Sequence, residues 1–210
     1  NTRSRILLDS PYFGLYHTHQ PLPPSPPWRV KLRILLTGGS GLFGSQLQKL
    51  APNILAPTRT ELDITDQAAV LAFVTNNNPE IIIHAAAITN NRKVKEDPTE
   101  ALEVNIKGTT NIALTCLKHR TRLVYLSTDY IYKGDKGNYS ENCEIEPFNL
   151  YAWTKLGGES SVMAVPNHLI IRTSFGPEQF NYDAAFTDKW TSKDYVDVIA
   201  PQVLEAARSP

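Results

Sequence analysis

This chain carries no surplus charge of either sign. Its 21 lysines and arginines balance 21 aspartates and glutamates, and its isoelectric point is near 7.1. Such a balance leaves no electrostatic footprint for nucleic acid or for an anionic membrane surface, so neither partner is expected. No apolar run approaches the ~20 residues that a membrane span requires. Cysteine is scarce as well. Cys116 and Cys143 are the only two; they stand singly without metal-ligand spacing, so no metal site is expected and a reducing, cytoplasmic setting suits them. Methionine occurs once, at Met163, and the first residue is Asn1. The expectation is therefore a fragment, a processed product, or a translated frame whose start lies elsewhere.

Residues 1–30 lack helical or strand periodicity and contain Pro11, Pro21, Pro23, Pro24, Pro26 and Pro27. They also lack the apolar core of a signal peptide, so an extended or disordered leader is expected there. What remains is long enough for one substantial core, since 41% of the 210 residues are hydrophobic.

The most informative stretch is Leu32-Arg33-Ile34-Leu35-Leu36-Thr37-Gly38-Gly39-Ser40-Gly41-Leu42-Phe43-Gly44. A β-branched apolar run ends in a glycine-dense turn, and an amphipathic segment follows with Leu42, Leu47 and Leu50. This reads as strand, tight turn, helix. The first glycine makes the turn, the second lets backbone approach a pyrophosphate, and the third lets helix pack on strand. The exposed N–H groups and positive dipole end of the helix suit phosphate. The spacing is Gly-x-x-Gly-x-x-Gly, a variant of the commoner Gly-x-Gly-x-x-Gly.

Farther along, Asn53 to Pro57 reads as a short second strand. The place about 20 residues past the first glycine, where an acid would grip the adenosine ribose, holds Thr58 and Arg59. An arginine there can pair with a 2′-phosphate, which favours NADP, with NAD as the alternative. Asp66 caps a helix whose apolar face is Val70, Leu71 and Val74. Glu80 to His84 is a buried strand, and Ala85-Ala86-Ala87 leaves room for something flat against the backbone; His84 is expected to be a satisfied strand-end histidine. Asp97-Pro98 starts a helix running through Ala101, Leu102, Asn105, Ile112 and Leu117. Asn105 within it is either a solvent-facing asparagine or a bridge to the active site. Leu123 to Leu126 forms a strand that delivers Ser127-Thr128-Asp129 at its carboxyl end, where open α/β sheets hold ligands. A helix containing Tyr151 to Lys155 follows, then a strand from His168 to Thr173, then a tail helix capped by Asp197 with Pro201 in its first turn. This alternation predicts an α/β fold, a Rossmann-type doubly wound parallel sheet.

Tyr151 and Lys155 are four residues apart, which puts both on one helix face. A free tyrosine has a pKa of about 10. A lysine cation nearby favours the tyrosinate and is expected to lower that value toward the working range. Thr128 adds a hydroxyl that can bond a carbonyl oxygen. Together the three could protonate a ketone oxygen while a nicotinamide coenzyme gives hydride to its carbon.

These pieces resemble the extended short-chain dehydrogenase/reductases, and within them the dTDP-4-dehydrorhamnose reductase type. The glycine turn, His84-Ala85-Ala86-Ala87, Val104-Asn105, Leu126 to Tyr132, Tyr151 to Lys155 and Arg172-Thr173-Ser174 occur in the same order over about 31–176. The resemblance implies a catalytic set of Thr128, Tyr151 and Lys155, with Tyr151 and Lys155 also touching coenzyme and Lys155 holding the nicotinamide ribose. It implies that Gly38, Gly41, Leu42, Phe43 and Gly44 line the pyrophosphate. Asp63 and Ile64 would flank adenine, Ala85 and Ala86 would lie along the coenzyme, and Asn105 and Arg59 complete that set. Asp129, Tyr130, Arg172 and Ser174 fall where such enzymes approach the sugar.

The implied function is NADPH-dependent reduction of a 4-keto group on a nucleotide-linked deoxysugar, as in dTDP-rhamnose biosynthesis, in the cytoplasm and as a homodimer. Residues 31–176 would form the NAD(P)-binding domain. Residues 177–210 would form a partial substrate segment, because only 35 residues follow Phe175. Two alternatives stand beside this. One is an epimerase or dehydratase of the same superfamily; a dehydratase would carry a second acid where Tyr130 stands. The other is a non-catalytic NADP-binding regulatory subunit.

Overall fold

In the computed structural model the described residues are 32–177 and 193–209. The leader expected over residues 1–30 lies outside them, as does much of the expected substrate segment.

Four parallel strands form the central sheet in the order β1-β2-β3-β4: β1 (Ile34–Thr37), β2 (Ile81–His84), β3 (Arg122–Ser127) and β4 (His168–Arg172). Alternation along each strand sends side chains to opposite faces. Ile34, Leu36, Ile81, Ile83, Val124 and Leu126 pack on one face against α1 (Leu42–Leu50) and α7 (Val196–Arg208). Leu35, Ile82, Leu123 and Tyr125 pack on the other. That second layer consists of α2 (Gln67–Asn77), α5 (Thr109–His119) and α6 (Leu150–Val162). Helices therefore cover both faces, which explains why the strands read as continuous apolar runs. The doubly wound α/β fold read from the sequence is the one observed.

Three expectations are corrected. Asn53 to Pro57 is not a strand; only Leu55 bridges to Leu35, beside β1. Pro57 has no N–H to extend the ladder. The tail helix begins at Val196, after β6 (Asp194–Tyr195) has paired with β5 (Phe175–Gly176). Asp197 is thus inside the first turn, where its charge suits the dipole, and Pro201 lies in the helix interior. The helix announced by Asp97-Pro98 is composite. A short α4 (Thr99–Ala101) passes into a π-wound stretch, Leu102–Gly108, before α5 begins. After β2, a short α3 (Asn91–Glu96) leads into α4.

Candidate active site

Backbone geometry shapes the first wall of the site. Gly38 has φ +79°, and a Cβ there would lie 2.6 Å from the Ala86 nitrogen and 2.7 Å from the Ala85 carbonyl carbon. The turn therefore rests directly on Ala85-Ala86, beyond the end of β2. At Gly44 a Cβ would come within 2.2 Å of the Gly38 carbonyl oxygen, so only glycine lets α1 start this close to the turn. Gly41, its N-cap, meets only that same oxygen at 3.3 Å, provides no side-chain cap, and is followed by no acid in the first turn. This donor set suits a pair of phosphates. Leu42 is exposed at the mouth, whereas the Phe43 ring is buried 5.7 Å from that of Phe175. Phe43 can serve a phosphate only through its backbone.

The residues expected to flank adenine are engaged within the protein. Asp63 accepts bonds from the Thr65 N–H and hydroxyl at 2.9 and 2.8 Å, which hold its carboxyl below the usual range. Ile64 is buried against Gly108, and its carbonyl accepts from Asn111 at 2.9 Å. Arg59 is well exposed and pairs with Glu100 at 3.1 Å. A concavity of about 690 Å³ opens nearby, between Thr65, Asp66, Lys107 and Asn111, and none of the three expected catalytic residues lines it.

Asn105 is fully buried, which overturns the solvent-facing alternative. Its Oδ1 accepts from the Ile88 N–H at 2.8 Å. Its Nδ2 donates to the Ile88 carbonyl at 3.0 Å and to Thr154 Oγ1 at 2.9 Å. It thus ties the chain after β2 to α6. The Asn105 carbonyl in turn accepts the Thr109 hydroxyl at 2.7 Å, and Thr109 Oγ1 contacts His84 Nε2 at 2.9 Å. Because that hydroxyl proton is engaged, Nε2 must donate and Nδ1 must accept, from Thr37 Oγ1 at 2.6 Å. His84 is therefore the neutral Nε2–H tautomer. Burial, helped by the Lys155 charge, pushes its pKa down to about 3. The expectation of a satisfied strand-end histidine holds.

Thr128 and Tyr151 are brought together. Thr128 lies just past β3, its hydroxyl oxygen accepts the Tyr130 N–H at 3.2 Å, and it is near enough to the Tyr151 phenol to act on its pKa; the Tyr151 ring meets that of Tyr130 edge-on at 6.4 Å. Asn149 caps α6 through the Ala152 N–H at 2.8 Å, and this fixes where Tyr151 emerges. One turn on, Lys155 Nζ sits 4.0 Å above the centre of the Tyr125 ring. The close approach of α6 to β3 depends on Gly158, where a Cβ would fall 2.5 Å from the Tyr125 hydroxyl.

The expected lowering of Tyr151 by Lys155 is corrected. Burial, then the negative charge of Asp129, pushes the phenol up to about 12, against the smaller opposing effect of the Thr128 hydroxyl. Burial brings Lys155 down to about 7, with the Glu159 carboxylate opposing. Desolvation sets the direction for both groups, and the Lys155 charge is not among the influences on the phenol.

Among the residues expected at the sugar, Asp129 Oδ2 accepts the Ser174 hydroxyl at 3.0 Å, and Tyr130 packs on the exposed ring of Phe148. Arg172 is turned to a different task. It bonds Glu159 at 2.8, 3.2 and 3.3 Å and the Tyr132 hydroxyl at 2.8 Å, so its charge is matched by a buried carboxylate. Glu159, Thr154 and Tyr125 were not singled out from the sequence. The only available signal was that Glu159 follows Lys155 by four residues on the same helix face.

Residues 32–206 match the family described as the RmlD substrate binding domain. The dTDP-4-dehydrorhamnose reductase of Aggregatibacter actinomycetemcomitans is 32% identical over 180 residues, covering 81% of this chain and 61% of that one. That of Mycolicibacterium smegmatis is 34% identical over 181 residues, covering 81% and 55%. A crystal structure of dTDP-4-dehydrorhamnose reductase from Bacillus anthracis in complex with NADP superposes with a TM-score of 0.68 at 34% identity, over 72% of this chain and 57% of that one. The chain thus spans little more than half the length of these relatives. With the match running from β1 through most of α7 and the glycine turn, Thr128, Tyr151 and Lys155 all inside it, the chain belongs to the RmlD substrate binding domain family.

Proposed function

We propose that this chain carries the coenzyme-binding and proton-donating part of an NADPH-dependent reductase acting on the 4-keto group of a nucleotide-linked deoxysugar. The observation that carries the reading is Tyr151 and Lys155 one turn apart on α6, with Lys155 buried, Tyr151 half-buried and Thr128 beside them at the carboxyl end of β3. The uncapped start of α1 and the glycine turn, resting on Ala85-Ala86, fit the pyrophosphate of such a coenzyme. The NADP-bound Bacillus anthracis relative supports the choice of coenzyme. When bound, the nicotinamide would supply hydride.

The remaining work falls to this chain's own side chains. With its pKa pushed up to about 12, Tyr151 stays protonated at neutral pH and can give its proton to the developing alkoxide. The Thr128 hydroxyl donates to the same oxygen and steadies it. Lys155, with a pKa near 7, is charged in mildly acidic solution, and its ammonium favours the tyrosinate left after proton transfer. Asp129, Tyr130 and Ser174 border the substrate side of Thr128, while Arg172 braces α6 against β4 through Glu159. A reductase drawing on the cell's nicotinamide pool belongs in the cytoplasm.

The test is turnover of a dTDP-4-keto-6-deoxysugar, followed by loss of nicotinamide absorbance. Tyr151→Phe should lower the rate by about 10²–10⁴-fold, the usual contribution of a general acid, and still bind NADPH. Coenzyme binding without turnover, unchanged by Tyr151→Phe, would favour the regulatory-subunit alternative and sink this reading.

A further inference from the structure

Two cations and one carboxylate meet beside the glycine turn, and they come from three separate parts of the chain. Gly39 lies against Ala56, where a Cβ on the glycine would be 3.1 Å from the alanine methyl. The segment after Pro57 therefore leaves from the edge of the turn. Thr58 is pinned there by Glu61, which accepts its N–H at 2.7 Å and its hydroxyl at 2.9 Å. This directs Arg59 outward, with its side chain 65% exposed. The Arg59 guanidinium bonds one oxygen of Glu100, at the start of α4, at 3.1 Å, and the Lys93 ammonium from α3 bonds the other. Those two bonds, Lys93 first, hold the Glu100 carboxyl below its usual range.

Two donors thus converge on a single carboxylate, with Asp63 near Arg59 and Asp97 near Lys93 as the neighbouring acids. A phosphate monoester carries close to two negative charges near neutral pH and three acceptor oxygens. It matches this pair of cations better than Glu100 does. We infer that Lys93 and Arg59 together bind the 2′-phosphate of the coenzyme, and that Glu100 is an internal carboxylate which the phosphate displaces. Lys93 and Glu100 then set coenzyme preference: Lys93 favours the phosphorylated form, while Glu100 opposes it by repulsion and by occupying its partners. The inference rests on the proposal that the glycine turn holds a nicotinamide dinucleotide.

The experiment compares 2′,5′-ADP with 5′-AMP, which differ only in the phosphate at issue, by calorimetric titration of the 210-residue chain. Lys93→Ala should weaken 2′,5′-ADP by about fivefold to tenfold and leave 5′-AMP unchanged, while Lys93→Arg restores the difference. Glu100→Gln should tighten 2′,5′-ADP by about threefold to tenfold, again with 5′-AMP unchanged. Added salt should narrow the wild-type gap. Arg59 and Lys93 are exposed and Glu100 is half-buried, so the variants fold, and a thermal melt checks it. If Lys93→Ala weakens both nucleotides alike or neither, the inference is overturned. If Glu100→Gln weakens 2′,5′-ADP, Glu100 is a scaffold for the cations and the displacement is refuted. A wild-type chain that binds neither nucleotide nor NADPH would remove the coenzyme reading itself, and this inference with it.

Discussion

Acid should destabilise this protein through one imidazole in particular. His84 is fully buried and neutral, with Nδ1 accepting from Thr37 and Nε2 donating to Thr109. Its folded pKa is pushed to about 3 from an ordinary 6.5. Above pH 6.5 both the folded and the unfolded chain hold it neutral, and it has no effect on the balance. As pH falls below 6.5 the unfolded chain takes up a proton that the folded chain refuses. Stability then drops by up to ~1.4 kcal/mol per pH unit, and the loss saturates only near the folded value. At pH 5 this amounts to about 2 kcal/mol, a sizeable part of the 5–15 kcal/mol typical of a domain.

The comparison that isolates it is His84→Gln, whose amide keeps one donor and one acceptor but cannot titrate. Urea denaturation followed by circular dichroism, at pH 8 and pH 5, gives four free energies. The variant is expected to be weaker at pH 8 by roughly 1–2 kcal/mol, from imperfect hydrogen bonds. Between the two pH values the wild type should lose about 2 kcal/mol more than the variant. Surface carboxylates titrate equally in both proteins and cancel. Equal losses in the two proteins would show that the imidazole does protonate in the folded state, and the tautomer assigned to it would be wrong.

Gly44→Ala would drive a methyl group to within 2.2 Å of the Gly38 oxygen; it should abolish NADPH binding and cost about 1–3 kcal/mol, and wild-type affinity in a fluorescence titration would refute the role of that glycine. Asn105→Ala strips both backbone groups of Ile88 of their partner and should cost about 2–4 kcal/mol by denaturant titration, whereas a loss under about 0.5 kcal/mol would mean that water replaces the amide. Lys155→Met removes a buried ammonium whose pKa has fallen to about 7, so it should stabilise the fold by about 1–3 kcal/mol at pH 6 while ending turnover; a less stable variant would show that the contact with Tyr125 outweighs desolvation. Turnover of the wild type should decline as pH rises through about 7, where Lys155 loses its charge, and a rate that holds flat to pH 9 would remove the ammonium from the mechanism.

Much of this was legible in the chain because it depends on local pattern. The four strands are short, largely apolar runs, and the glycines at 38 and 44 announce backbone contacts that no other residue permits. Asn105 was legible only as a choice between two alternatives. The π winding of Leu102–Gly108 shifts the helical register, leaving Leu102 exposed and Asn105 buried, and no residue there announces such a shift. The Arg172–Glu159 pair depends on where β4 lies beside α6, which is a tertiary fact. The acidity of Tyr151 was misread for a related reason: spacing gives the distance of a charge along a helix, while burial decides the sign of the shift.

Depth of burial also explains how the two halves of the site stay in register. The Thr37 hydroxyl donates to His84, His84 donates to Thr109, and Thr109 donates to the Asn105 carbonyl. Asn105 Nδ2 then donates to Thr154, whose hydroxyl donates to the Tyr151 carbonyl at 2.8 Å. Every donor in that series runs the same way, from the residue before the glycine turn to the residue that carries the acid. Such a series is satisfied in only one arrangement, because reversing any hydroxyl leaves a buried donor facing a donor. A purely apolar contact between β1, β2, α5 and α6 would tolerate small slips along the helices. This polar series does not, so the glycine turn and the backbone of Tyr151 are held at a fixed separation by the same bonds that require His84 to stay neutral.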